Sequence, residues 1–302
     1  MRALLLYNPN ATTTDASVCE RVAATLATTV DLDARPTKQR GHATHLAAGA
    51  VHEGVDVVFV LGGDGTANEV LQALAGTGVA MGVLPGGSTN VLARALRLPN
   101  DPLQAAEQLA DHVRTGHRRS ITLGKVGSRY LGFNAGFGFD AAVVRHVEQH
   151  ERRKRHLGQG AFVIGATREW LLGSGRAPAA TQLRLPDGTT KGPYAITIVA
   201  NTDPYTYLRS RPMHVHPGAS FETGLDVIAL RSLPTPQLLR VVLRVFRDGS
   251  HTELDAVDLF HDLDAFELAH PEPQPLMVDG DYAGECATAR FAAVRDALTV
   301  LA

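Results

Sequence analysis

Twice in the first hundred residues a short apolar run ends in glycines and passes into a helical pattern. Val55–Leu61 runs into Gly62-Gly63-Asp64-Gly65-Thr66, and Val79–Leu84 into Pro85-Gly86-Gly87-Ser88-Thr89-Asn90. Glycine lets backbone approach a phosphate closely, and a helix N-terminus offers unpaired N–H groups and the positive end of its dipole. The first loop departs from the dinucleotide pattern G-x-G-x-x-G, because Gly63 and Gly65 are followed by Asn68 in the third place, and it lacks the Gly-Lys-Ser/Thr ending of a P-loop. Glycine also serves plain strand-to-helix turns. Two such loops together, carrying Asp64, Thr66, Ser88, Thr89 and Asn90, favour phosphate chemistry over that bland reading. Far downstream, Asp279-Gly280-Asp281 sets two carboxylates two residues apart. Such a pair can accept a proton or contact a water or Mg²⁺; taken alone, it is more often a surface turn.

The elements that must position these residues alternate as in a parallel α/β layer. Ala3–Leu6 predicts a strand broken by Asn8-Pro9-Asn10, and Asp15 caps a helix with Val18, Val22, Ala23 and Leu26 at helical spacing. Val30–Ala34 is a weaker strand, and Ala43, Leu46, Ala47, Ala50 and Val51 mark a second helix. Val55–Leu61 is apolar enough to be buried on both faces, with a helix expected over Asn68–Ala75. A helix carrying Val91, Leu92 and Ala95 and another over Pro102–Thr115 close this region.

After about Arg118 the texture turns β-rich. Thr122–Val126, Tyr130–Asn134, Gln182–Leu185, Tyr194–Ala200, Leu225–Leu230, Ala265–Ala269, Pro275–Val278 and Arg290–Ala293 read as strands, with helices over Ala141–Glu151, Gly160–Leu172 and Gln237–Phe246. The expected domains are therefore residues 1–120, α/β, and 121–302, β-rich. The last strand, Leu298–Leu301 within about 294–302, is open to either.

Composition narrows the class. At roughly 150 residues per domain, 302 residues suggest two domains. A net charge of -2 argues against a nucleic-acid binder. Cys19 and Cys286 cannot build a disulfide framework or a zinc site by themselves, and a reducing compartment is the default. The uncharged stretch Val70–Ala93 is interrupted by five glycines, Pro85 and polar residues, so it is not read as a membrane span. His150, Arg152, Arg153, Lys154, Arg155 and His156 form the dense basic cluster, read either as a solvated surface or as attraction to an anionic membrane. The scattered histidines, His214 and His216 included, are read as structural or surface residues. Trp170 is read as core or pocket wall.

Taken together, Asn8-Pro9, Gly62–Thr66, Pro85–Asn90, Asn134-Ala135-Gly136-Phe137-Gly138-Phe139-Asp140 and Asp279-Gly280-Asp281 resemble the catalytic-domain family of diacylglycerol kinases, bacterial soluble lipid kinases in a superfamily shared with NAD kinases. The resemblance implies a Rossmann-like nucleotide-binding domain, a β-sandwich second domain, and ATP with Mg²⁺ as cofactors. Carried over, it makes Asn8, Thr37, Gly62, Gly63, Asp64, Gly65, Thr66, Asn68, Gly87, Ser88, Thr89 and Asn90 the nucleotide site. Asp279 and Asp281 become the catalytic carboxylates, with the larger share expected at Asp279, because Asp281 stands where the family has Glu. Ser88 stands where Thr is usual, and Val91 replaces an acid. Glu222-Thr223-Gly224-Leu225-Asp226 resembles a family segment that holds a structural Mg²⁺, so Glu222 and Asp226 are the expected metal residues, against the reading of a solvated turn.

The implied function is an ATP-dependent lipid kinase moving the γ-phosphate to a lipid hydroxyl, with diacylglycerol as the first acceptor and sphingoid bases, glycerophospholipids and ceramide-like alcohols as others. The rivals are an NAD kinase-like small-molecule kinase and a non-catalytic nucleotide- or lipid-binding regulator. The implied setting is the cytoplasm with peripheral membrane association. The expected partners are ATP and a lipid substrate at a membrane surface, with no nucleic acid and with a homodimer as a further assembly.

Overall fold

The computed structural model describes residues 1–148, 179–208, 211–231, 235–247 and 249–302. The helix expected over Gly160–Leu172, Trp170 and the basic cluster at 152–155 lie outside them. The chain divides into two compact units, Met1–Leu123 with Arg295–Ala302, and Gly124–Val294.

The first unit is a parallel sheet with helices between its strands. β1 (Arg2–Tyr7), α1 (Ala16–Leu26), β2 (Asp31–Pro36), α2 (His42–His52), β3 (Val57–Gly62), α3 (Asp64–Leu74) and β4 (Ala80–Pro85) alternate, followed by α4 (Val91–Ala95) and α5 (Pro102–Thr115). The strands lie in the order β4-β3-β1-β2, all parallel. β3 and β4 are buried along their whole length, as near-continuous apolar sequence demands, whereas β2 at the edge is mostly exposed. Val300 pairs in parallel with Met81 of β4, so the chain's last residues belong to this sheet. Side chains set the helix ends. Asp15 caps α1 through the Val18 amide, and Asp101 caps α5 through Leu103 and Gln104.

One expectation shifts here. α3 begins at Asp64, four residues before the expected Asn68, so Asp64-Gly65-Thr66 is the first turn of a helix rather than a loop. Gly63, in extended conformation, is the residue before it.

The second unit is an antiparallel sheet. It contains β5 (Arg119–Val126, starting in the first unit), β6 (Arg129–Leu131), β7 (Asn134–Gly138), α6 (Phe139–Glu148), β8 (Thr181–Arg184), β9 (Thr190–Tyr194), β10 (Ile196–Ala200), β11 (Thr206–Leu208), β12 (Arg211–Met213), β13 (Leu225–Leu230), α7 (Thr235–Arg247), β14 (Val257–Leu263), β15 (Ala265–Val278) and β16 (Asp281–Val300). The path β14-β13-β10-β7-β15-β16 is antiparallel throughout. Phe137, Tyr194, Leu225, Val227, Leu268 and Phe291 are buried in its main core.

Four strand expectations are corrected. Tyr194–Ala200 is divided at Ala195, since β9 ends at Tyr194 and β10 starts at Ile196. Tyr130–Asn134 is split, since β6 stops at Leu131 and β7 starts at Asn134. Ala265–Ala269 and Pro275–Val278 are one strand, β15, with a register shift between Ala269 and Gln274. Arg290–Ala293 and Leu298–Leu301 are joined in β16, which ends at Val300. The extra unpaired residues of an irregular stretch interrupt the apolar alternation without ending the strand.

Candidate active site in two parts

The strand order β4-β3-β1-β2 places a topological switch point between β1 and β3. After β1 the chain moves to β2 on one side, and after β3 to β4 on the other. Ligands of open α/β sheets bind outside the carboxyl ends of strands at such a point. Asn8 follows β1 there, and Gly62-Gly63 closes β3. The Asn8 amide donates to the Leu61 carbonyl at 3.0 Å, and its Nδ2 lies 3.4 Å from Thr66 Oγ1.

The two glycine loops lie side by side. The Gly86 amide donates to the Gly62 carbonyl at 2.8 Å. A Cβ on Gly86 would sit 2.8 Å from Gly62 Cα, and one on Gly87 2.7 Å from Gly63 Cα, so these glycines are needed for backbone packing. Gly65 differs: it is exposed, and a Cβ there would meet no atom within 4 Å. Space stands open beside the first turn of α3, whose N-cap Gly63 supplies no side-chain hydrogen bond.

The other expected residues brace this arrangement or flank it. Asn90, left-handed at φ 51°, accepts the Gly87 amide at 2.8 Å and donates to the Gly87 carbonyl at 2.9 Å and to Asn100 at 2.9 Å. Asp64 Oδ1 accepts the Leu92 amide at 3.2 Å, which ties α3 to the start of α4. Burial pushes the Asp64 carboxyl above its ordinary value, against hydrogen bonds from the Val91 and Leu92 amides, Thr89 and the Asn90 amide. Ser88 is exposed. Asn68 is buried and accepts from Gln72, and Thr37 is buried at the end of β2, its amide donating to the Tyr7 carbonyl at 2.8 Å. Two residues escaped the sequence reading. The Thr13 amide donates to the Gly86 carbonyl at 3.1 Å, and Thr14 Oγ1 to the Asn8 carbonyl at 2.5 Å. The run of threonines after Asn8-Pro9 was the available signal.

In the second unit, Asp279 and Gly280 form the two-residue connection of the β15–β16 hairpin, with Val278 paired to Asp281. Both have positive φ, 49° and 80°, the conformation that favours Asp-Gly in such hairpins. Asp279 is only 5% exposed, so this is not a surface turn. Its Oδ2 accepts the Gly132 amide at 2.7 Å, and its Oδ1 the amides of Phe133 at 2.9 Å and Asn134 at 3.0 Å. Asn201, fully buried, holds the same loop from the other side through the Gly132 and Phe133 carbonyls. Asp281 is more open. Its side chain is 27% exposed and lies 3.6 Å from the Arg129 guanidinium.

Asn134 links this turn to a further acid. Its Nδ2 donates to the Tyr205 carbonyl at 2.9 Å, and the Tyr205 hydroxyl donates to Asp140 at 2.9 Å. Burial raises the Asp140 carboxyl to about 6, with the Tyr205 hydrogen bond pulling the other way. Asp140 lies on the Asn134–Asp140 segment; Tyr205 carried no sequence signal.

The surroundings of the expected metal residues do not fit a magnesium ion. Asp226 is fully buried, and both of its oxygens face hydrogen-bonding nitrogen groups. Oδ2 lies 3.1 Å from His216 Nδ1 and 2.8 Å from His261 Nδ1, and Oδ1 accepts the Asp262 amide at 2.9 Å. Magnesium takes a shell of oxygens, and imidazoles on a lone carboxylate do not supply one. Glu222 is exposed, and among the described residues no three His, Cys, Asp or Glu side chains gather as a group able to hold a metal ion. His216 and His261 belong to the histidines expected to be structural or surface residues; here the Nδ1 of each faces a buried carboxylate.

Comparison with known proteins accounts for both units. Residues 2–126 match the diacylglycerol kinase catalytic domain, and residues 134–302 the YegS C-terminal NAD kinase beta sandwich-like domain. A diacylglycerol kinase of Mycobacterium tuberculosis is 33% identical over 269 residues, covering 86% of this chain and 81% of that protein. A diacylglycerol kinase of Bacillus subtilis is 29% identical over 247 residues, covering 81% and 77%. A crystal structure of a diacylglycerol kinase from Bacillus anthracis shares the fold, with a TM-score of 0.78 at 19% identity over 99% of this chain and 96% of that one. An α/β first domain with paired glycine loops at its switch point, followed by a β-sandwich-like second domain, is thus matched along nearly the whole length, and the chain belongs to the diacylglycerol kinase family of phosphotransferases with an alcohol group as acceptor.

Proposed function

We propose that the protein is an ATP-dependent lipid kinase that transfers the γ-phosphate to a lipid hydroxyl, with diacylglycerol as first acceptor. The observation that carries the nucleotide half is the open space at Gly65, beside the first turn of α3 and at the β1/β3 switch point. The nucleotide phosphates lie against the Gly62–Thr66 backbone, with Asn8 and Ser88 at its border and Thr89, Asn90, Gly87 and Asp64 holding the second loop in place. Thr37 and Asn68 are buried supports rather than contacts. Mg²⁺ bound together with the nucleotide would neutralise charge on its phosphates. No protein ligand for it is assigned.

Phosphoryl transfer asks for positioning, charge stabilisation and a group to take the acceptor's proton. We assign the last task to Asp281. Asp279 has three backbone amides on its oxygens and fixes the turn, whereas Asp281 is reachable and faces Arg129. This moves the main catalytic role two residues along from the expectation at Asp279. The relatives named diacylglycerol kinase support the acceptor class. A lipid acceptor also calls for peripheral contact with a membrane, and no described helix is long and apolar enough to cross one.

The test is radiolabelled ATP with a total lipid extract and, separately, with NAD. Label in a diacylglycerol-derived phosphatidic acid is the expected result. Label on NAD selects the NAD kinase-like rival, and label on neither, with ATP still bound, selects the non-catalytic regulator.

A further inference from the structure

α7 is apolar over a wider arc than the protein covers. With 3.6 residues per turn, Leu238, Val241 and Val245 fall on one side, and these pack into a core with Ile196, Val215, Ile228 and Val257. Leu239, Val242 and Leu243, spaced i, i+3, i+4, fall roughly a third of a turn away. They are 58%, 40% and 61% exposed, three of the five large apolar residues exposed among the described residues. Beyond them the third side carries Arg240, Arg244 and Arg247, and Thr235–Arg247 contains no acidic residue. Arg244 is turned onto the Ser250 carbonyl at 3.0 Å, while Arg240 is exposed.

A helix with a buried face, a bare apolar flank and a basic edge is the pattern of one that lies in a lipid interface. Thirteen residues span about 20 Å, too short to cross a bilayer and long enough to lie along it. The uniformly positive edge complements anionic headgroups, to which each nearby basic residue contributes attraction. We propose that α7 seats the protein on an anionic lipid surface. The Leu239–Val242–Leu243 flank enters the boundary between headgroups and acyl chains, and Arg240 meets lipid phosphate. The choice of occupant rests on the lipid-acceptor reading; the exposed flank does not.

The test is flotation of the full-length chain with vesicles of equal parts phosphatidylglycerol and phosphatidylcholine, and with phosphatidylcholine alone, at low and high salt. The double variant Leu239→Ser/Leu243→Ser should lose more than about tenfold in partition. Arg240→Gln should lose about fivefold on the anionic vesicles, with the difference fading at high salt. Both should keep wild-type kinetics on a short-chain, water-soluble diacylglycerol. If the double variant unfolds, Val242→Ser alone serves for the apolar arm. Unchanged flotation of the apolar variants overturns the proposal. So does a lipid-free wild-type dimer that the double variant makes monomeric, which would assign the flank to a second copy. Wild-type chain that floats through α7 but labels no lipid leaves this proposal standing and removes the acceptor reading instead.

Discussion

Asp279 and Asn134 are tied to each other twice: the Asp279 amide donates to the Asn134 carbonyl at 2.8 Å, and Asp279 Oδ1 accepts the Asn134 amide at 3.0 Å. The same carboxylate takes the amides of Gly132 and Phe133. An ionised carboxylate only accepts, which is what three amides require. Asp279→Asn replaces one oxygen with an NH₂ group, leaving a buried amide facing a donor, at a cost of about 1–3 kcal/mol. Chemical denaturation should show that loss, with turnover and stability falling together. An Asp279→Asn protein of wild-type stability that has lost turnover alone would return the proton-accepting role to Asp279.

Asp281→Asn should separate the two. Its side chain is partly exposed beside Arg129, so stability should change by less than about 1 kcal/mol. General-base assistance is worth about a hundred- to ten-thousand-fold, and kcat should fall by that order with KM for ATP near normal. Steady-state kinetics with the lipid acceptor decide it; more than half of wild-type kcat would remove Asp281 from the chemistry.

The glycine loops predict opposite behaviour for neighbouring substitutions. Gly86→Ala forces a Cβ to 2.8 Å from the Gly62 backbone and should cost about 1–3 kcal/mol by overpacking. At Gly65 a Cβ points into open space, so Gly65→Val should fold normally, yet fill the space given to phosphate. Calorimetric titration with ATP should find no binding to Gly65→Val. Wild-type affinity in that variant would show that phosphate lies elsewhere.

The parallel layer was legible because β3 and β4 are buried on both faces and write that directly as apolar runs. The start of α3 was not, because glycine at position 65 reads as a loop while the backbone there is helical. β7 was hidden for a similar reason: Asn-Ala-Gly-Phe-Gly is poor strand sequence. Gly136 is there because the Asp140 side chain lies against it. The candidate carboxylates could be found in the sequence, but their different surroundings could not. What separates Asp279 from Asp281 is a set of amides 145 to 147 residues away. The helix periodicity at Gln237–Phe246 gave α7 its faces without showing which of them the fold covers.

Asp140 should make the folded state favour acid. Its carboxyl is raised from 3.8 to about 6 by burial, partly offset by the Tyr205 hydroxyl. A raised folded value contributes stability that is present below 3.8 and lost as pH rises through about 6. Asp140→Asn keeps a hydrogen-bond acceptor and cannot ionise. Relative to wild type it should gain stability, about 3 kcal/mol at most, between acid and neutral pH. Denaturation midpoints of the two proteins that run parallel across that range would exclude a strained carboxylate.

The Asp226 cluster should have the opposite dependence on the acid side and its own limit on the basic side. Burial alone would raise Asp226, but hydrogen bonds from His216, His261 and the Asp262 amide outweigh it, and its value falls below the ordinary 3.8. That contribution is full above 3.8 and is lost as pH falls through the depressed value. His261 is raised from 6.5, first by its hydrogen bond to Asp226, so its contribution is full below 6.5 and is lost as pH rises through the higher folded value. The pair is therefore strongest between 3.8 and 6.5, where both partners are charged. His261 is 54% exposed, which limits the effect to about 1 kcal/mol or less. Replacing it, as His261→Gln, should make the stability difference from wild type largest in that window and smallest at alkaline pH. Asp226→Asn should lose stability at every pH above its own titration, because the buried acceptor set is broken. Urea denaturation of wild type and both variants from pH 5 to 9 measures these differences. A His261→Gln difference that stays flat across that span would mean the imidazole only fills space, and the charge pairing assigned to it would be wrong.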